Sequence, residues 1–135
     1  MRDGAKTLTF LADIYSVEKN SQVRAAMDGQ RRTFNARRDS LASKTALLRE
    51  RDAQVRTEIR GLRAQIAADD RQLVLIEEEL SGIRSLVKRG LVARPRLLAL
   101  ERRAAEIGGN RGRNVAAVVR AQQSIGETWL KIEKL

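Results

Sequence analysis

The chain has 135 residues, about one domain, with 33% charged residues, 3% aromatic residues and a formal net charge of +10. With neither Cys nor His, it excludes disulfides, Cys-based metal sites and His-based acid/base chemistry, and it contains no run of about 18 apolar residues that could span a membrane. A single Pro and so few aromatics argue against a mixed globular core and fit long helices and coiled coils.

Residues 1–20 lack periodicity. Leu8, Phe10, Leu11, Ile14 and Tyr15 form an apolar cluster there, which reads as an N-terminal extension, a short helix packing on the base of the elements that follow. Asn20 or Ser21 is a suitable N-cap for a first long helix over 21–89, because its side-chain oxygen can accept an orphan backbone N–H. No Pro interrupts that stretch, and Gly29, Gly61 and Gly82 are its only glycines. About 68 residues would reach on the order of 100 Å. Two heptad seams run along it. One reads Phe34, Leu41, Leu48, Val55, Leu62, Ile76, Ile83, and the other reads Ile59, Ile66, Leu73, Leu80, Val87. Such spacing keeps one stripe of a helix turned toward a partner helix.

Gly90 stops this helix, being able to take the left-handed conformation at low cost. Residues 90–94 make the turn, and Pro95 opens a return helix over 95–135, where its fixed φ and missing N–H are harmless. The return helix is about 40 residues, or about 60 Å. Its apolar positions are Leu97, Leu100, Ala104, Ile107, Val118, Ala121, Ile125, Ile132 and Leu135, mostly in steps of three and four. The two halves mirror each other. Val87 with Leu97, Leu80 with Ala104, Ile76 with Ile107 and Ile59 with Ile125 have residue numbers that add to a near-constant value, as facing positions of an antiparallel hairpin must. The expected fold is therefore all-α, a long antiparallel two-helix coiled-coil hairpin with a short N-terminal extension. The return helix is the shorter one, so residues 21–47 should lie against the N-terminal segment or against a part of the protein outside this sequence. Both ends read as cut, as in one segment of a larger protein.

The seam has polar interruptions that face each other. Asp69 breaks the first helix, and Arg111 and Asn114 break the second at the matching height. This predicts a polar layer of Asp69, Arg111 and Asn114, of the kind that fixes register at some cost in stability. Gly108-Gly109-Asn110-Arg111-Gly112 lacks the Lys-Ser/Thr ending and preceding strand of a phosphate loop and reads as a weak point in a helix. The carboxylate clusters Asp69-Asp70 and Glu77-Glu78-Glu79 are expected to be solvated, since a two-helix hairpin offers no pocket to drive their pKa values apart. No catalytic residue, cofactor site or small-molecule substrate is expected.

The turn is where function concentrates. Residues 82–98 carry Arg84, Lys88, Arg89, Arg94 and Arg96 and no acid, and they display Leu86, Leu91 and Val92 around the bend. A basic, partly apolar tip on a long support suits docking, through Arg84, Leu86, Arg89, Gly90, Leu91, Val92, Ala93 and Arg94. The positive charge also suits nucleic acid, because clustered Lys and Arg release counterions on binding. Single strands, however, are held by aromatic platforms that are scarce here.

The stretch Leu86-Val87-Lys88-Arg89-Gly90-Leu91-Val92-Ala93-Arg94-Pro95-Arg96-Leu97-Leu98-Ala99-Leu100-Glu101-Arg102 resembles the hairpin tip of HlyD-type membrane-fusion proteins, the periplasmic adaptors of bacterial type I secretion systems. Upstream, Gly29-Gln30-Arg31-Arg32-Thr33-Phe34-Asn35-Ala36-Arg37-Arg38 resembles the opening of the long helix in the protease- and lipase-exporter branch. The likeness covers roughly residues 22 to 135. It implies a periplasmic adaptor, anchored in the inner membrane through parts outside this sequence and assembled as a hexamer. Such an adaptor couples an ABC transporter to a TolC-like outer-membrane channel that the tips meet. The family's tip carries an Arg, a Leu four residues on and a Ser seven further. Leu86 matches the Leu, whereas Gly82 stands at the Arg position with Arg84 nearby, and Ala93 stands at the Ser position. The competing reading is a cytosolic coiled-coil interaction module that binds nucleic acid or a helical protein.

Overall fold

The computed structural model describes residues 3–135, with side chains from Leu8 onward. It contains two helices, α1 (Asp3–Lys88) and α2 (Arg94–Glu133). They form an all-α hairpin. Helix α1 is continuous through Asn20 and Ser21, so the helix start expected there is absent. Neither residue breaks a helix. Each costs only a few tenths of a kcal/mol at an interior position, and the flanking Glu18, Lys19, Gln22, Arg24 and Ala25 favour the helix. The hydroxyl of Ser16 donates to the Asp13 carbonyl at 2.9 Å and so finds its partner within the same helix.

The chain divides into two units, Met1–Ala46 and Leu47–Leu135. In the first, the described residues form a single helical segment. Its apolar side chains are turned to solvent, Leu8, Phe10 and Tyr15 being 71%, 66% and 73% exposed. The cluster expected to pack on a hairpin base is therefore uncovered within this unit.

The second unit is the hairpin. Burial along its α1 portion recurs at 48, 52, 55, 59, 62, 66, 69, 73, 76, 80 and 83, and along α2 at 97, 100, 104, 107, 111, 114, 118, 121, 125, 128 and 132. The steps alternate between three and four throughout, which is the seam of a coiled coil. Ile59, Val118 and Ala121 make one buried cluster, with Val55, Leu62, Ile66 and Ile125 packed against it. Residues far apart in sequence meet there in antiparallel order, as the mirrored pattern requires. Nearer the turn, Leu80, Ile83 and Ile107 are buried, Leu80 to 2%. No side chain is sealed below that level, because two helices cover only one stripe of each other.

Two seam positions are polar without having been singled out from the sequence. Asp52 is 8% exposed, and its Oδ2 accepts from Arg56 Nε at 2.8 Å. Thr128 is 4% exposed and donates to the Ser124 carbonyl at 2.9 Å, which satisfies its hydroxyl inside its own helix.

With no native cysteine to interfere, Ile59→Cys with Ile125→Cys and Leu80→Cys with Ala104→Cys should each form a disulfide within one chain. Non-reducing electrophoresis should then show monomers of increased mobility. Crosslinks found only between chains would mean an extended helix that dimerises and would overturn the hairpin.

Candidate docking tip and polar layer

The turn is built from backbone bonds. Leu91 N–H donates to the Leu86 carbonyl at 2.9 Å and Gly90 N–H to the Val87 carbonyl at 3.1 Å. These are the two bonds of a Schellman closure, with Gly90 left-handed at φ 73°. A residue with a Cβ would be strained there. Ala93 precedes α2 in an extended conformation without a side-chain cap, and Arg96 N–H donates to its carbonyl at 3.1 Å. Helix α2 thus begins at Arg94, one residue before the expected Pro95, and Pro95 occupies its first turn, where no N–H is needed.

The closure sets what the tip displays. Leu86, Val87 and Val92 are half-buried, whereas Leu91 is 64% exposed. Burying such a side chain in a partner would contribute about 1.5–3 kcal/mol. Gly90, Ala93 and Arg94 are exposed beside it. The basic residues divide into two groups. Arg84 is drawn back along the hairpin, its Nη1 3.3 Å from Glu77 Oε1 and its Nη2 3.7 Å from Glu101 Oε1 on the opposite helix. Those acids lie just outside the acid-free window 82–98, so the sequence window overstated the charge that Arg84 presents. Lys88, Arg89, Arg94 and Arg96 are exposed and form no ion pair among the described residues.

Farther from the turn lies a polar layer. Asp69 is 9% exposed, and its Oδ2 accepts from Asn110 Nδ2 at 3.1 Å. Arg111 Nε donates to Asp70 Oδ1. This hydrogen bond, then the charge of Asp70, raises the Arg111 pKa above its ordinary value, against a small opposing effect of burial. The Nδ2 of Asn114 is buried without a hydrogen-bond partner. Asp69, Arg111 and Asn114 occupy seam positions, and the pairing differs from one among these three. Asp69 bonds Asn110 and Arg111 bonds Asp70. Asn110 and Asp70 flank the seam, and long or polar side chains at flanking positions reach across more readily than those within it. That rule was the available signal for both.

Among the described residues no group of three metal-ligating side chains converges, and no helix is long and apolar enough to cross a membrane. The groove between the helices lined by Arg56, Ile59, Arg60, Arg63, Gln122 and Ile125 is an open depression of about 310 Å³. Such an open surface offers a partner charge and apolar contact.

Comparison with known proteins places these features. A family model described as the AprE long α-helical hairpin matches residues 2–135. The chain is 35% identical over 134 residues to the type I secretion system membrane fusion protein PrsE of Rhizobium meliloti (strain 1021), an alignment covering 99% of this chain and 30% of that protein. The chain therefore spans less than a third of the length of this relative. No solved structure matches.

Replacing Asp69 with Leu should hold or raise the melting temperature. The single bond from Asn110 is a poor exchange for the lost hydration of a buried carboxylate, and Asn110 is exposed and regains water when its acceptor is removed. Circular dichroism melts check this. A marked fall in melting temperature would mean that the layer is a net source of stability.

Proposed function

Because the chain belongs to the AprE long α-helical hairpin family, we propose that it serves as the hairpin of a periplasmic adaptor in a type I secretion system, a transport component without catalysis. The likeness to PrsE along nearly the whole chain carries this reading. On this reading the full-length protein is anchored in the inner membrane, assembles as a hexamer and bridges an ABC transporter to a TolC-like outer-membrane channel. The tip is the end that docks. Leu91, and Leu86 and Val92 beside it, supply apolar contact. Arg89 and Arg94, flanked by Lys88 and Arg96, steer the tip toward acidic groups on the channel. Arg84 contributes less, being held by Glu77 and Glu101.

These two kinds of contact act on different rates. Exposed charge mainly accelerates encounter and fades as salt rises, whereas apolar anchors set the lifetime of a complex. The exposed position of Leu91 also makes it a clean site to probe, because a carboxylate there meets water in the unbound hairpin. In the full-length adaptor, Leu91→Asp should abolish secretion with helicity unchanged, and Leu86→Asp should do the same at some cost to the turn. Arg89→Glu should slow assembly most at low ionic strength. A nucleic-acid-binding coiled coil would also lose affinity on charge reversal but would largely tolerate the Leu variants. If secretion survives aspartate at both Leu86 and Leu91, the tip is not the docking site.

A further inference from the structure

The apolar interior of the hairpin is not continuous. On the base side, Ile59, Val118 and Ala121 form a cluster that takes in Val55, Leu62, Ile66 and Ile125. On the tip side, Leu80, Ile83 and Ile107 are buried outside that cluster. Between them stand Asp69, held by a single donor, and Asn114, whose buried Nδ2 has none. The half-buried seam position nearest these on α2 is Arg111, whose guanidinium is turned to Asp70 at the edge. Over about one turn of each helix, burial therefore contributes little.

The same stretch of α2 carries Gly108, Gly109 and Gly112. None is there because space requires it. A Cβ placed on any of them meets nothing within 4 Å, and all three are exposed. None has the positive φ that demands glycine, since Gly90 is the only described residue that does. Alanine would fit and would strengthen the helix. The facing stretch of α1, Asp70-Arg71-Gln72-Leu73-Val74-Leu75-Ile76, contains no glycine and includes Arg71, Gln72, Leu73 and Leu75, which favour the helix. Weak packing at Arg111 and Asn114 and weak helix propensity at Gly108–Gly112 thus adjoin on α2.

We propose that Gly108–Gly112 and the Asp69–Asn114 layer form a joint within the hairpin. Helix α2 opens locally there, α1 stays helical but bends at that level, and the tip-side segment reorients about the joint as a body. The Arg111–Asp70 and Asn110–Asp69 bonds act as the latch that closes it. This inference concerns the hairpin alone and does not depend on what the tip docks to.

Hydrogen exchange of the intact chain tests the opening, and the distribution of distances between spin labels tests the reorientation. Amides of 108–113 should exchange faster than those of 98–105, 118–125 and the facing 70–76. Changing Gly108, Gly109 and Gly112 together to Ala should slow them on the order of 100-fold, the combined helix-propensity gain of three such changes. Labels on Arg102→Cys and Gln123→Cys, both exposed and on either side of the joint, should give a broad distance distribution that narrows in the alanine variant. Alanine favours the helix, so loss of folding does not confound the result. Equal protection across α2, or no slowing in the alanine variant, would overturn the proposal. Fast exchange with an already narrow distribution would overturn it as well, because the stretch would then fray without bending.

Discussion

Everything in this hairpin depends on a single stripe of contact. Two helices packed side by side have no third layer, so the alternation of three and four residues between apolar positions defines the whole interior. The cost of ordering the backbone must be offset along that line, and any polar residue on it is felt directly. This explains why no side chain is completely buried and why Leu80, at 2% exposure, is the most enclosed apolar residue. It also explains why Asp52, Asp69, Asn114 and Thr128 carry more meaning than their chemistry suggests. In a thick core, neighbours on other elements could satisfy each of them. Here each depends on its own helix or on one facing helix. Thr128 bonds within its helix, Asp69 bonds across, and Asp52 and Asn114 each keep one buried atom without a partner.

The turn solves a different problem, which is to reverse direction without a core to brace it. Gly90 supplies the left-handed residue, two backbone bonds close the end of α1, and Pro95 lies in the opening turn of α2. Because backbone atoms do this work, the side chains at the bend are left over. Leu91 and the cations around it are not needed to make the turn. That is the physical basis for reading them as a surface meant for something else. Arg84 shows the limit of the argument: it belongs to the same basic stretch, yet two carboxylates have already claimed it.

Much of this was legible in the sequence, for a simple reason. Heptad spacing is a local signal, and the antiparallel mirror constrains which positions can meet, so Ile59 with Ile125 and the height of the polar layer followed from counting. The failures were of three kinds. The expected start at Asn20 or Ser21 rested on residues that favour a cap but tolerate a helix interior, and without a Pro or a loss of propensity nothing forced α1 to begin there. The pairings within the polar layer were missed because spacing fixes the height of a residue and not the direction in which its side chain turns. Asn110 and Asp70 lie one step off the seam and reach across it from the edge. Asp52 was a plainer omission, since it stands on the same heptad as Ile59 and Ile66.

A narrow interior also separates the tasks along the chain. The groove between the helices is an open depression, so what the hairpin offers a partner is surface contact. Contact is most productive where apolar area remains to be buried and charge remains unpaired, and within the hairpin those conditions meet at residues 86–96. The polar layer meets neither condition: Arg111 and Asp70 are paired with each other, Asp69 is buried, and the glycines beside it offer no apolar area. What it offers is a place where the seam holds least. The proposed docking end and the proposed joint behind it are separate consequences of the same economy of packing. One arises where side chains are left over by the fold, and the other where the seam runs short of them.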